Sequence, residues 1–137
     1  MTTRKQLSPV LTTAFVVVLT VAAWWIFLGR DTVRDVDPAT GAVTGPYEAP
    51  QVIACVLVLI ALVVVGTLAA PAWVAVLAVA LPFTVAWTVQ AASDDDSGLW
   101  AVGALLVLVG TLAGGAVVAL LTRVVERRRA ARSTTAP

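Results

Sequence analysis

Four stretches of the chain, residues 10–28, 52–70, 72–92 and 99–122, are continuously apolar and hold no charged side chain. Polar residues gather between and beyond them. Each stretch is close to the roughly 20 residues a helix needs to cross a hydrocarbon core about 30 Å thick. Inside a bilayer every backbone polar group must be satisfied within its own segment, so runs of this length predict helices. The second and third stretches read as separate spans, because one helix over both would be about twice the thickness of the core. Pro71 lies between them, and its missing N–H and ring clash predict a tight bend through Ala70, Pro71, Ala72 and Trp73.

The predicted fold is therefore all-α: one four-helix transmembrane bundle occupying residues 1–137, with loops at 29–50 and 93–98 and a basic tail at 123–137. In the longer loop, Asp37-Pro38-Ala39-Thr40-Gly41 is a turn signal, flanked by β-branched residues at 33–36 and 42–44. That pattern predicts a short hairpin outside the membrane between the first two helices. A second turn at Gly45-Pro46 leads to Pro50, suited to the first position of the second helix, and Asp96 or Ser97 can cap the fourth.

Composition agrees with lipid as the solvent: 60% of the 137 residues are hydrophobic and only 12% charged, with a mean hydropathy of +0.97. A soluble chain this small lacks the polar residues to cover such a core. The first stretch follows Arg4 and Lys5 as a signal peptide would. Its length and the bulky Trp24, Trp25, Ile26 and Phe27 at the cleavage position favour an uncleaved helix.

The net charge of +1 conceals a strong sorting of charge along the chain. Arg4, Lys5, Arg123, Arg127, Arg128, Arg129 and Arg132 flank the termini, whereas all acidic residues but Glu126 lie in the two loops. By the positive-inside bias both termini face the cytoplasm, and an even number of crossings likewise puts both on one side. Trp24, Trp25, Tyr47 and Trp100 then mark the outer boundary and Trp73 the inner one. Trp87 is about a turn deeper, as for a side chain packed against another helix. Arginine in place of lysine, with abundant Ala and Val, suits a high-GC bacterial genome and hence a bacterial plasma membrane.

Candidate chemistry is sparse. There is no histidine and a single cysteine, Cys55, which excludes a Ser/His/Asp apparatus and a thiol pair within one chain. No apolar stretch holds the titratable group that proton relays and ion-coupled transporters require. The first helix lacks the glutamate of small four-helix multidrug exporters, and no Cys-x-x-Cys serves quinone-linked thiol chemistry. Asp94, Asp95 and Asp96 cannot all converge on one cation within so short a turn, and Asp35 and Asp37 start a calcium-loop spacing that Ala39 interrupts. No catalytic, cofactor or metal site is expected, and no nucleic-acid partner.

Two features remain. In the fourth helix Gly110 and Gly114 form one small-residue face, with Thr111, Gly115 and Ala119 extending an adjacent one. Such faces let backbones approach in lipid, either within the bundle or against another copy or another membrane protein. Ala75, Ala78, Pro82 and Ala86 of the third helix offer a matching face. The cluster Arg123, Arg127, Arg128, Arg129 and Arg132 sets topology and can contact anionic lipid headgroups. These features predict a non-enzymatic accessory or structural membrane component. The alternative is a subunit of an oligomeric channel or transporter.

Overall fold

The computed structural model describes residues 8–31, 33, 35–45, 47–94 and 97–134. Arg4, Lys5, Arg34, Pro46, Asp95 and Asp96 lie outside the described residues. Helices α1 (Pro9–Phe27), α2 (Ala49–Ala69), α3 (Ala72–Asp94) and α4 (Trp100–Thr134) account for most of the chain. All four are long and apolar enough to cross a membrane.

Local chemistry sets the helix ends. The Ser8 hydroxyl accepts the Leu11 N–H at 3.3 Å, and Pro9 opens α1 where its missing N–H costs nothing. The N–H groups of Leu28 and Gly29 close the other end on the Trp24 carbonyl. At the start of α2, Gln51 Oε1 accepts the Glu48 N–H at 3.0 Å and Gln51 Nε2 donates to Asp31 at 3.2 Å, tying α2 to the exit of α1. Pro50 is the second residue of α2, one place later than expected. The α2–α3 bend falls at Ala70 and Pro71, and the Pro71 carbonyl accepts the N–H groups of Val74 and Ala75.

Helix α4 is far longer than its apolar run. It continues to Thr134, 35 residues in all, or about 50 Å at the usual rise. The segment expected as a basic tail is thus helical over its described part. Arginine, alanine and glutamate are good helix formers, and the Arg123–Glu126 ion pair at 3.0 Å adds support one turn apart.

Helices α2 and α3 each touch the other three helices, α3 the more extensively, whereas α1 and α4 do not meet. At one junction Val16 of α1, Gly66 of α2 and Ala75 of α3 converge. A Cβ placed on Gly66 would lie 3.0 Å from that of Ala75 and 3.8 Å from Val16 Cγ2. Ala75 therefore faces α2, and Ala78 and Pro82 border a groove with Thr13 and Val17 of α1. The face expected to meet α4 is turned toward α1 and α2 instead, and it is Val76 and Trp87 that meet α4.

The core joins Val16, Leu62, Val63, Val79 and Phe83 to small residues such as Ala75 and Ala119. Small and polar side chains such as Thr20, Thr67 and Ala80 are fully buried, while Phe15, Leu57, Leu106 and Val89 are exposed. Buried Thr20 satisfies its hydroxyl on the Val16 carbonyl at 2.8 Å. Large aliphatic side chains gain nothing by leaving lipid, so the close contacts fall to small residues.

The loop between α1 and α2 is a closed turn, shorter than the hairpin expected. Antiparallel pairing is confined to Asp35 with Thr44 and Val36 with Val43. One Asp37 carboxylate oxygen accepts the Ala39 N–H at 2.8 Å and the other accepts the Thr40 hydroxyl at 2.9 Å. Gly41, at a φ of +67°, supplies the left-handed residue. With side-chain bonds holding the turn, two residues a side close it, and the fold is all-helical.

Candidate functional site

The two small-residue faces of α4 part company. Thr111, Gly115 and Ala119 turn inward: Ala119 is buried, and a Cβ on Gly115 would lie 3.2 Å from Val76 Cγ1 of α3. The Thr111 hydroxyl donates to the Val107 carbonyl at 2.7 Å. Gly110 and Gly114, by contrast, are exposed, and nothing lies within 4 Å of where their Cβ atoms would be. Together with Thr111 and Gly115 they line an apolar cleft of about 450 Å³ between α2 and α4, with Cys55 and Leu59 on the α2 wall and Phe83 and Trp87 beneath.

The close approaches that hold the chain together lie at other glycines. Gly66 lets α2 onto α3, and Gly103 receives the Trp87 ring, whose Cη2 would be 2.5 Å from an added Cβ. Neither glycine belongs to a GxxxG pair, so spacing alone does not reveal them. The depth of Trp87 was the available signal for the second contact.

Charge is sorted between the two ends of the bundle. At the end holding the α2–α3 bend, Arg123 of α4 reaches across to donate from Nη2 to the Ala70 carbonyl at 2.9 Å, while its Nη1 bonds Glu126. That carbonyl is one of those a helix leaves unpaired at its C-terminus, so the guanidinium caps α2 from 53 residues away. Nothing in the sequence pattern separates Arg123 from its neighbours for this role. Arg127 lines a second cleft of about 630 Å³ between α3 and α4. Arg128, Arg129 and Arg132 are exposed.

At the opposite end, Tyr47 sits between the loops. Burial, and then the carboxylates of Asp94 and Asp31, push its phenol above the ordinary value of 10.0. At the turn, the Ala39 N–H, followed by the Thr40 hydroxyl, holds Asp37 below 3.8. Both Asp37 oxygens are thus engaged within the turn. Among the described residues no three His, Cys, Asp or Glu side chains come together as a metal site. Among the described residues the buried polar atoms without partners are Trp24 Nε1, Thr67 Oγ1, Thr84 Oγ1 and Gln90 Oε1.

Four helices long and apolar enough to cross a bilayer, with many large aliphatic side chains facing outward, are those of a small multi-pass membrane protein. No family model, curated protein or solved structure matches the chain.

Proposed function

We propose that this chain is a non-enzymatic accessory or structural component of a bacterial plasma membrane, with both termini in the cytoplasm. The observation that carries this reading is where the ionisable groups lie. Among the described residues every Asp, Glu and Arg lies at or beyond the ends of the apolar stretches, and the interior is built of Val16, Cys55, Leu59, Val79, Phe83 and their apolar neighbours. Proton relay and ion coupling need titratable groups placed in that interior. The orientation rests on the same sorting. The Arg123–Ala70 bond puts the basic extension and the α2–α3 bend at one end, and the Asp94 and Asp31 fields at Tyr47 put both acidic loops at the other. The basic end is the cytoplasmic one.

A second reading, a subunit of a multi-copy channel or transporter, is favoured by one observation: Gly110 and Gly114 are free to receive another helix. Reconstitution into liposomes separates the two. The accessory reading expects ion flux no greater than in empty vesicles, together with a stoichiometric protein partner after mild crosslinking in the native membrane. Flux that Gly114→Leu abolishes would overturn it in favour of the channel.

A further inference from the structure

We propose that the cleft between the start of α3 and the last apolar turns of α4 is a binding site for one anionic phospholipid. This proposal rests on the membrane reading above and adds a ligand to it. Bilayer lipids surround every membrane protein, so what requires explanation is a place built for one of them. The cleft is an open groove of about 630 Å³, in the size range of sites that hold discrete small molecules, roughly 300–1,000 Å³. Its walls are apolar, with Val76 and Leu77 from α3 facing Leu112, Ala116 and Leu120 from α4.

Its mouth is different in kind. Arg123 and Arg127, one turn apart on α4, are the only charged residues lining the cleft among the described residues. Arg123 is held in place by the Ala70 carbonyl and Glu126, so its remaining N–H donors are fixed in direction before any ligand arrives. Glu126 offsets part of the Arg123 charge. Arg127 has no ion pair among the described residues. Exposed Trp73 stands on the other lip, as indole does at the headgroup level of a bilayer. An apolar slot with guanidinium groups at its open end complements an acyl chain carrying a phosphate-type head, for which arginine is the preferred partner. A zwitterionic head carries its own cation beside the phosphate and so compensates Arg127 less than an anionic head does. A free phosphate ion leaves the slot empty.

The test uses the full chain, purified in detergent, stripped of lipid and titrated with phosphatidylglycerol or phosphatidylcholine of identical acyl chains, with bound lipid counted by native mass spectrometry. One phosphatidylglycerol per chain should bind, at least several-fold more tightly than phosphatidylcholine. Arg127→Gln should weaken phosphatidylglycerol about five-fold, the equivalent of about 1 kcal/mol for one basic residue at a membrane surface. Ala116→Phe, which fills the slot from an exposed position without altering charge, should weaken it by at least as much. Arg132→Gln, on the same helix beyond the cleft, should change it less than two-fold. Glycerol phosphate without acyl chains should not compete at equal concentration.

Equal losses for Arg127→Gln and Arg132→Gln with none for Ala116→Phe would mean diffuse attraction to the basic helix and would overturn the site. A loss for Ala116→Phe without one for Arg127→Gln would mean an unselective greasy crevice and would overturn it equally. Failure of the membrane reading looks different: the chain would be released from membranes by alkaline carbonate, whereas a chain that stays in the bilayer without lipid preference refutes this proposal alone.

Discussion

Replacing Gly66 with leucine should destabilise the bundle, while the same change at Gly114 should not. A Cβ on Gly66 would lie 3.0 Å from Ala75 Cβ and 3.5 Å from its Cα, against an optimum of about 3.5–4.0 Å for carbon pairs. The junction has no room to yield, since Val16 and Ala75 are 1% and 2% exposed. The remaining leucine carbons must force α3 away from α2, and overpacking of this kind costs about 1–3 kcal/mol. Removing a helical glycine returns up to about 1 kcal/mol, so a mid-range overpacking cost leaves a net loss for Gly66→Leu of roughly 1 kcal/mol. At Gly114 nothing lies within 4 Å of the new Cβ, and only the small propensity gain of up to about 1 kcal/mol applies. Circular dichroism during unfolding in mixed detergent and SDS micelles measures both. A Gly66→Leu variant as stable as wild type, or a Gly114→Leu variant whose monomer is weakened, would refute the packing described. Loss of an oligomer by Gly114→Leu with its monomer intact would support assembly through the α2/α4 cleft.

Arg123→Gln should lower stability by about 1–2 kcal/mol, the scale of a charge-assisted hydrogen bond at a partly exposed site, whereas Arg128→Gln should leave the same SDS titration unchanged. The single tyrosine gives a clean optical readout: Tyr47 should ionise above 10.0, and Asp94→Asn should bring the transition down. Because its folded value is raised, its contribution to stability is complete below the ordinary value and is lost as pH rises through the folded one. Asp37 has the opposite sign: its carboxyl should titrate below 3.8 by NMR, and the turn should loosen only as pH falls through that depressed value. Millimolar calcium should not shift that titration, because both carboxylate oxygens already accept bonds from Ala39 and Thr40.

The four helices were legible because lipid demands long apolar runs, and Pro71 marks a bend by covalent geometry, whereas the Ser8 cap of α1 lies outside the apolar run and was not read. The end of α4 was not. Hydropathy registers where the membrane stops, near Thr122, while helix propensity carries the chain on to Thr134. The small-residue faces show a different limit. Gly114 and Gly115 are neighbours in sequence but about 100° apart around the helix, so only the placement of α4 against α3 decides which packs inward and which stays open. Arg123 was readable as a charge in a cluster, yet its partner is a carbonyl 53 residues away that only the fold brings within reach. The pairing of Asp35 and Val36 with Val43 and Thr44 is shorter than β-branched flanks suggested, because Asp37 and Gly41 already close the turn.

The central claim, four crossings with both ends on the cytoplasmic side, is tested most directly by thiol labelling in intact cells. The background is Cys55→Ala, which removes the only native cysteine, and single cysteines are then introduced by Ala42→Cys beside the exposed turn and by Ser133→Cys on the exposed end of α4. An impermeant thiol reagent should label the Ala42→Cys protein in intact cells and the Ser133→Cys protein only after the membrane is opened. Protection of the first in intact cells, or labelling of the second, would contradict the account.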